Sequence, residues 1–138
     1  MLVLTSCEPA EGDILFITTE YSNKSSKDIS IISYHHSHNR KSEYTHKIEK
    51  GGKFEQTYNF NGGNDYPRII NESDSVKVIF DNERQSTFTK GEDIENPYNI
   101  YHNKKKIPNK GEEWHLFTEY TFTDKDYEYA KPCNGKCN

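Results

Sequence analysis

The stretch Ser75–Thr89 (SVKVIFDNERQSTFT) is typical of a β-hairpin and decides the fold class of this chain. Val76, Val78 and Phe80 recur at every second position, the period with which side chains alternate between the two faces of a strand. Asp81–Arg84 is a polar turn that brings the chain back into a second β-type run. The hairpin therefore predicts a β-sheet with one apolar face.

Similar short runs lie on both sides of this hairpin, and polar or glycine-rich turns separate them. We expect the first two runs to pair with each other, because only a short polar loop joins them. The last run places two residue sets on opposite faces, with Trp114 among the apolar set. The predicted strands are Asp13–Tyr21, Ile29–His36, Tyr44–Ile48, Lys53–Phe60 and Glu113–Phe122.

The composition agrees with a mostly β protein, since twelve Ile and ten Tyr stand against four Leu and two Ala. β-Branched and aromatic side chains favour strands, whereas Leu and Ala favour helices. One short helix is predicted after Thr123, which is placed as its N-cap, and Pro132 ends it. The sequence predicts an all-β, two-sheet antiparallel sandwich of the immunoglobulin-like type, and a small β-barrel is the alternative.

Length and charge limit the organisation and the partners of the chain. With 138 residues, a single β domain over 13–132 is expected, preceded by residues 1–12 and followed by a tail over 133–138. No run of about 18 apolar residues indicates a membrane span. A net charge of −4, without a basic stripe, argues against nucleic acid as a partner.

The first residues predict where the protein is located. Leu4–Cys7 (LTSC) resembles a bacterial lipobox, in which the cysteine receives a diacylglycerol group, and a polar stretch follows it. We expect residues 1–12 to hold the remnant of a signal peptide, the lipid attachment site Cys7 and a short tether. Glu8 after the cysteine favours an outer-membrane lipoprotein of the bacterial envelope, facing either the periplasm or the surface.

Two further cysteines, Cys133 and Cys137, flank three residues that include an Asn-Gly turn. An oxidising envelope compartment favours a disulfide between them. Two free thiols or a metal site are the alternatives, although a structural zinc site needs four ligands.

The lipobox, Ser75–Asn82 (SVKVIFDN) and Tyr120–Ala130 (YTFTDKDYEYA) together resemble small lipoproteins of gut-associated Gram-negative bacteria. The resemblance covers about a quarter of the chain. It implies a β-sandwich-like fold, and it transfers no catalytic residue and no assigned activity.

The densest group of reactive side chains lies between His35 and His46. His36 and His38 would share one face of a strand, and His46 could approach from a neighbouring strand to complete a zinc, copper or nickel site. The alternative is that these histidines are simply exposed at the polar end of a strand. No established metal signature matches their spacing, so no cofactor is expected.

The function expected from the sequence is that of a lipid-anchored, non-catalytic module that binds a protein or a glycan. No nucleophile motif such as G-x-S-x-G is present. Ten Tyr on a small β domain include candidates for aromatic contacts with a ligand, among them Tyr98 and Tyr101. The alternative, favoured for most of these tyrosines, is that they fill the core in place of the missing Leu, with the hydroxyl reaching the surface. An envelope metal-binding protein or enzyme that uses the His35–His46 cluster is the alternative. The oligomeric state is left open.

Overall fold

The structure is a computed structural model that describes residues 14–37, 39–60, 68–108 and 112–137. Two β-sheets pack face to face, and neither closes into a barrel in these ranges. The elements are β1 (Phe16–Asn23), β2 (Ile29–Ser37), β3 (Arg40–Ile48), β4 (Lys53–Asn59), a 3-10 turn (Ile70–Glu72), β5 (Ser75–Phe80), β6 (Arg84–Thr89), β7 (Lys105–Lys106), β8 (His115–Phe122), α1 (Asp124–Tyr129) and β9 (Lys131–Pro132). The expected all-β sandwich is confirmed.

Sheet one has the strand order β4-β1-β8-β7, and sheet two has the order β3-β2-β5-β6-β9. Strands β1 to β6 therefore have the neighbours of strands B, C, C′, E, F and G of an immunoglobulin domain. The place beside β1 that strand A would take is occupied by β8. It comes from the other end of the domain and runs parallel to β1, whereas the other strand pairs among the described residues are antiparallel.

The strand positions agree with the sequence, but one predicted pairing is wrong. β1 and β2 were expected to form a hairpin, and they lie in different sheets instead. The connection over residues 24–28 is anchored by Asn23, whose side chain redirects the chain across the sandwich. The hairpin of β5 and β6 is present as predicted, and its turn residues Asp81 and Asn82 both have positive φ, a conformation that Asp and Asn tolerate.

The core lies between the sheets and is rich in aromatic and β-branched side chains. Phe80 of sheet two meets Phe122 of sheet one with ring centroids 6.4 Å apart. The buried side chains that form this cluster are Tyr21, Ile29, Ile31, Ile48, Ile70, Val76, Val78, Phe80, Phe88, Ile100, Tyr120, Phe122 and Ala130. Tyrosine thus takes positions that Leu would fill in a more ordinary core.

A polar side chain closes one side of the sandwich. Gln56 of β4 points inward and donates from Nε2 to the carbonyl of Arg68 at 2.6 Å, while its Oε1 accepts from the backbone N–H of Ile70 at 2.9 Å. These two hydrogen bonds hold the 3-10 turn against sheet one. They take the place of the backbone hydrogen bonds that a neighbouring strand would form. The turn carries Ile70, which is fully buried in the core.

Helix α1 packs on the opposite side and begins with a capping box. The Thr123 side chain accepts from the Lys125 N–H, and the Asp126 carboxylate accepts from the Thr123 N–H at 2.8 Å. Tyr127 then fixes the helix to sheet two, since its hydroxyl donates to Glu83 at 2.7 Å and its ring faces the side chains of Lys27 and Arg84.

Asn23 joins two connections between the sheets. Its Nδ2 donates to the carbonyls of Lys27 at 2.7 Å and Ile48 at 2.9 Å, and its Oδ1 accepts from the N–H and the hydroxyl of Ser25. The residue is 1% exposed, so its partners have no water to replace it.

We expect Asn23→Ala to lower the free energy of unfolding by about 3 kcal/mol, because at least two buried carbonyls lose their donor. Urea denaturation monitored by tryptophan fluorescence measures the change. Lys24→Ala, at the exposed neighbouring position, is the control and should change stability by less than about 0.5 kcal/mol. Equal losses in both variants would contradict the role assigned to the amide.

Candidate functional site

The outer face of sheet one, on the side away from the core, gathers chemically diverse side chains from two strands that are distant in sequence. Because β1 and β8 run parallel in register, their outward-facing residues stand opposite each other. The outward pairs are Phe16 with His115, Thr18 with Phe117, Glu20 with Glu119 and Ser22 with Thr121.

Four rings form an aromatic cluster at the end of this face where β1 and β8 begin: Phe16, Trp114, His115 and Phe117. Trp114 meets Phe16 edge-on at 5.7 Å between centroids, and His115 stacks on Phe117 at 4.2 Å. All four side chains are half-buried. The sequence grouped Trp114 with the apolar set of the last strand, but Trp114 precedes β8 and contacts the outer rings of Phe16 and His115.

Hydrogen bonds fix the orientation of the His115 ring. Thr18 Oγ1 lies 2.7 Å from His115 Nε2 and 2.8 Å from Thr57 Oγ1. A hydroxyl beside an imidazole resembles a nucleophile and its base, but Thr18 is only 3% exposed beneath the rings. The three groups therefore order the aromatic cluster and hold it in one conformation.

Three carboxylates follow the aromatic cluster in a row across sheet one. Glu20 stands opposite Glu55 of β4 on one side and Glu119 of β8 on the other. Lys53 lies 3.7 Å from Glu20, and Lys105 of β7 stands opposite Glu119. The two lysines thus neutralise part of the negative charge of this row. Its carboxylate oxygens remain available as hydrogen-bond acceptors.

A groove with a volume of about 710 Å³ continues from the carboxylate row to the other end of the face. Its floor is the outer side of β1 and β8, and the β3–β4 turn forms one wall. The lining residues are Glu20, Ser22, Asn23, Lys24, Ser25, Lys50, Gly51, Gly52, Lys53, Glu119 and Thr121. Gly51 has a φ of 80°, which only glycine adopts readily, so the shape of this wall depends on it.

The face therefore offers three kinds of contact in sequence: aromatic rings, carboxylate acceptors and lysine donors. Aromatic rings bind flat apolar surfaces, and the polar groups beside them fix the orientation of a ligand. A ligand that carries hydroxyl groups on one side and C–H groups on the other matches this order of contacts.

The histidines singled out from the sequence are not brought together. His36 is exposed on the outer face of sheet two, opposite Lys41, whereas His46 stands opposite Ile31 and faces the core. His46 stacks on Phe54 at 5.2 Å between centroids, and burial lowers its pKa. The two proposed ligands therefore lie on opposite sides of one sheet.

His35, next to them in sequence, is 7% exposed and lies 3.1 Å through Nε2 from Ser33 Oγ. Burial also lowers the pKa of this imidazole. Within the described ranges, no three or more His, Cys, Asp or Glu side chains are placed to hold a metal ion. His38 and Cys7 lie outside the described residues.

The two tyrosines expected to contact a ligand are half-buried and pack against the core. Tyr98 stacks on Tyr129 at 4.5 Å and packs against the buried cluster. Tyr101 packs there as well, its hydroxyl lies 2.7 Å from Ser73 Oγ, and burial raises its pKa to about 12. The segment that carries both residues folds back onto the sandwich, and their contact with a ligand stays a prediction.

Lys104, which follows Tyr101 closely in the sequence, is more buried than its exposed neighbours Lys105 and Lys106. Its ammonium donates to the backbone carbonyls of Ile100 and Tyr101 and ends their turn. Burial lowers the pKa of this lysine to about 7. The first of these three lysines is therefore a structural group.

Cys133 and Cys137 are joined by a disulfide. The backbone N–H of Cys133 donates to the Glu83 carbonyl, and that of Cys137 donates to the Asn82 side chain. The tail is thereby attached to the β5–β6 turn, on the sheet that does not carry the candidate site.

The sequence revealed half of this site. Alternation in β8 places His115, Phe117, Glu119 and Thr121 on one face, and that part agrees with the structure. The contribution of β1 was missed, because a parallel pairing between the two ends of the domain leaves no local signal. The unusual feature that could have indicated it is a strand with aromatic residues on both faces.

A scan against protein-family models finds no match, and a search of curated proteins finds none either. No helix in the described part of the chain has the length and hydrophobicity to cross a membrane.

The buried histidines predict a loss of stability in acid. Their pKa values are lowered in the folded state, so their contribution is fully present above about pH 6.5 and is lost as the pH falls below it. We expect His46→Gln to reduce the loss of unfolding free energy between pH 7 and pH 5, as measured by urea denaturation. His36→Gln, at an exposed position, should keep the slope of the parent protein, and an equal change in both variants would contradict the assignment.

Proposed function

We propose that this protein is a non-catalytic binding module that holds a glycan on the outer face of sheet one. The observation that carries the proposal is the placement of the aromatic cluster directly beside Glu20 and Glu119. The apolar C–H face of a sugar ring stacks on aromatic rings, and its hydroxyl groups donate to carboxylates.

The spacing on the strand supports this ligand class. Phe117 and Glu119 are successive outward residues of β8, which separates them by about 6.8 Å, on the scale of one sugar ring. The groove beyond them, with about 710 Å³, lies within the size range of ligand sites in proteins. It can receive further rings of an oligosaccharide.

The charged side chains on the outer face of sheet one limit the classes of glycan that it can bind. Three carboxylates stand in register, and in the described part of the chain Lys53 and Lys105 are the strand lysines placed beside them, while Lys24 and Lys50 line the groove beyond. An acidic sugar would be repelled next to Glu20 and Glu119, whereas neutral and amino sugars would be accepted. The proposed ligand is therefore a neutral or amino-sugar oligosaccharide.

We expect a labelled glycan array to identify such an oligosaccharide and isothermal titration calorimetry to measure its affinity. Trp114→Ala should weaken binding at least about tenfold, since aromatic anchors contribute most of the affinity of a site. Ile94→Ala is the control, because Ile94 is 55% exposed and does not line the groove. The proposal fails if no glycan binds, or if a protein from envelope extract binds in a Trp114-dependent way while no glycan does.

We also propose that Cys7 is lipidated and anchors the domain to the bacterial envelope. The lipobox residues Leu4–Cys7 support this, and residues 8–15 separate the cysteine from the first strand. Each buried CH₂ group of an acyl chain contributes about 0.8 kcal/mol, so two or more chains hold a small domain firmly.

Mass spectrometry of the mature protein, produced from the full-length gene in a Gram-negative host, tests the anchor. We expect an N-terminal Cys7 that carries acyl chains and a protein that sediments with membranes. Cys7→Ser should appear in the soluble fraction with the same fold by circular dichroism. An unmodified Cys7 in the parent protein would rule out the anchor.

A further inference from the structure

Strand β3 (Arg40–Ile48) forms one edge of sheet two. It pairs with β2 on one side, and in the described part of the chain no strand pairs with its other side. An edge strand of this length presents a row of backbone N–H and C=O groups that another strand can pair with. Nine residues also exceed the usual length of five or six for a strand.

The outward side chains of this edge form a self-complementary charge pattern. Lys41, Glu43, Thr45 and Lys47 of β3 and Glu49, the first residue after it, occupy every second position, and all five are exposed. Read in the opposite direction, the pattern has the opposite charge at every charged position, with Thr45 at its centre. In the described ranges none of the four charged side chains forms an ion pair within the chain.

We infer that β3 pairs antiparallel with β3 of a second copy of this chain, with Thr45 opposite the same residue of that copy. This register places Lys41 opposite Glu49 and Glu43 opposite Lys47, and the two-fold symmetry makes each pair occur twice. Opposite charges that face each other across an antiparallel ladder stabilise it, whereas like charges destabilise it.

The charges select this register over its neighbours. A two-fold axis perpendicular to the sheet keeps the outer faces of both copies on the same side, so opposed residues must share a face. Centring the pair on Tyr44 would oppose Lys41 to Lys47, and centring it on His46 would oppose Glu43 to Glu49. Both shifts place like charges face to face.

The resulting dimer joins two five-stranded sheets into one continuous sheet. On the inward side of the same register, Tyr44 stands opposite His46 of the second copy, which adds an aromatic contact. An interface made by one strand from each copy buries little area, so the dimer should dissociate on dilution. Its ion pairs lie at the surface, so salt should also weaken it.

Two charge-reversal variants test the pairing, each with Cys7→Ser to prevent a disulfide between copies. Lys41→Glu with Lys47→Glu makes the edge wholly acidic, and Glu43→Lys with Glu49→Lys makes it wholly basic. We expect the parent chain to form a concentration-dependent dimer in sedimentation equilibrium. Each variant alone should dissociate at least about tenfold more readily, and an equimolar mixture of the two should form a heterodimer.

Lys125→Glu with Lys136→Glu is the matched control, because it makes the same change in net charge at exposed positions away from β3. It should dimerise like the parent chain. Circular dichroism confirms that every variant is folded. The inference is overturned if the parent chain stays monomeric at millimolar concentration, if the variants dimerise like the parent, or if the mixture forms no heterodimer.

Discussion

The parallel pairing of β1 with β8 is the constraint on which the candidate site depends. Eight successive residue pairs, from Phe16 with His115 to Asn23 with Phe122, join strands that lie at opposite ends of the domain sequence. A parallel pair cannot be closed by a tight turn, and strands β2 to β7 lie between β1 and β8 in the sequence. Aromatic rings and carboxylates of both strands meet only because this long-range pairing is in register.

Polar side chains inside the sandwich compensate for a core with few aliphatic residues. Asn23 and Gln56 hydrogen-bond to backbone groups that no strand reaches, and each ties a connection to a sheet. The buried Tyr120 hydroxyl donates to Asp126 at 2.6 Å, which couples β8 to the capping box of α1. Burial and the nearby carboxylate raise the pKa of this phenol, so it remains a donor over the physiological range. Such bonds contribute only modest net energy, but leaving their partners unpaired is costly, and this makes the arrangement specific.

The sequence predicted the strands because alternation is a local property, and the bounds of β5 agree with the prediction at both ends. The capped helix was predictable for the same reason, since Thr123 and Asp126 are three residues apart. The hydrogen-bond and packing partners of individual side chains were less predictable than the strands. In the sequence, Gln56 interrupts the apolar alternation of its strand. Only the fold shows that its amide hydrogen-bonds to backbone groups twelve or more residues away. Tyr98 and Tyr101 lie in a segment whose composition is typical of a surface loop. Their partial burial depends on contacts with strands that are distant in the sequence.

The parallel arrangement also determines which end of the domain the N-terminal segment joins. Both β1 and β8 begin at the aromatic cluster, so the chain that comes from Cys7 enters the fold at that end of the sandwich. Eight residues, 8 to 15, can extend over at most about 28 Å. In the proposed lipidated form, the start of β1 and the rings beside it would stay within that distance of the bilayer. A long oligosaccharide would then be held with one end close to the membrane surface, which favours ligands that are themselves attached there.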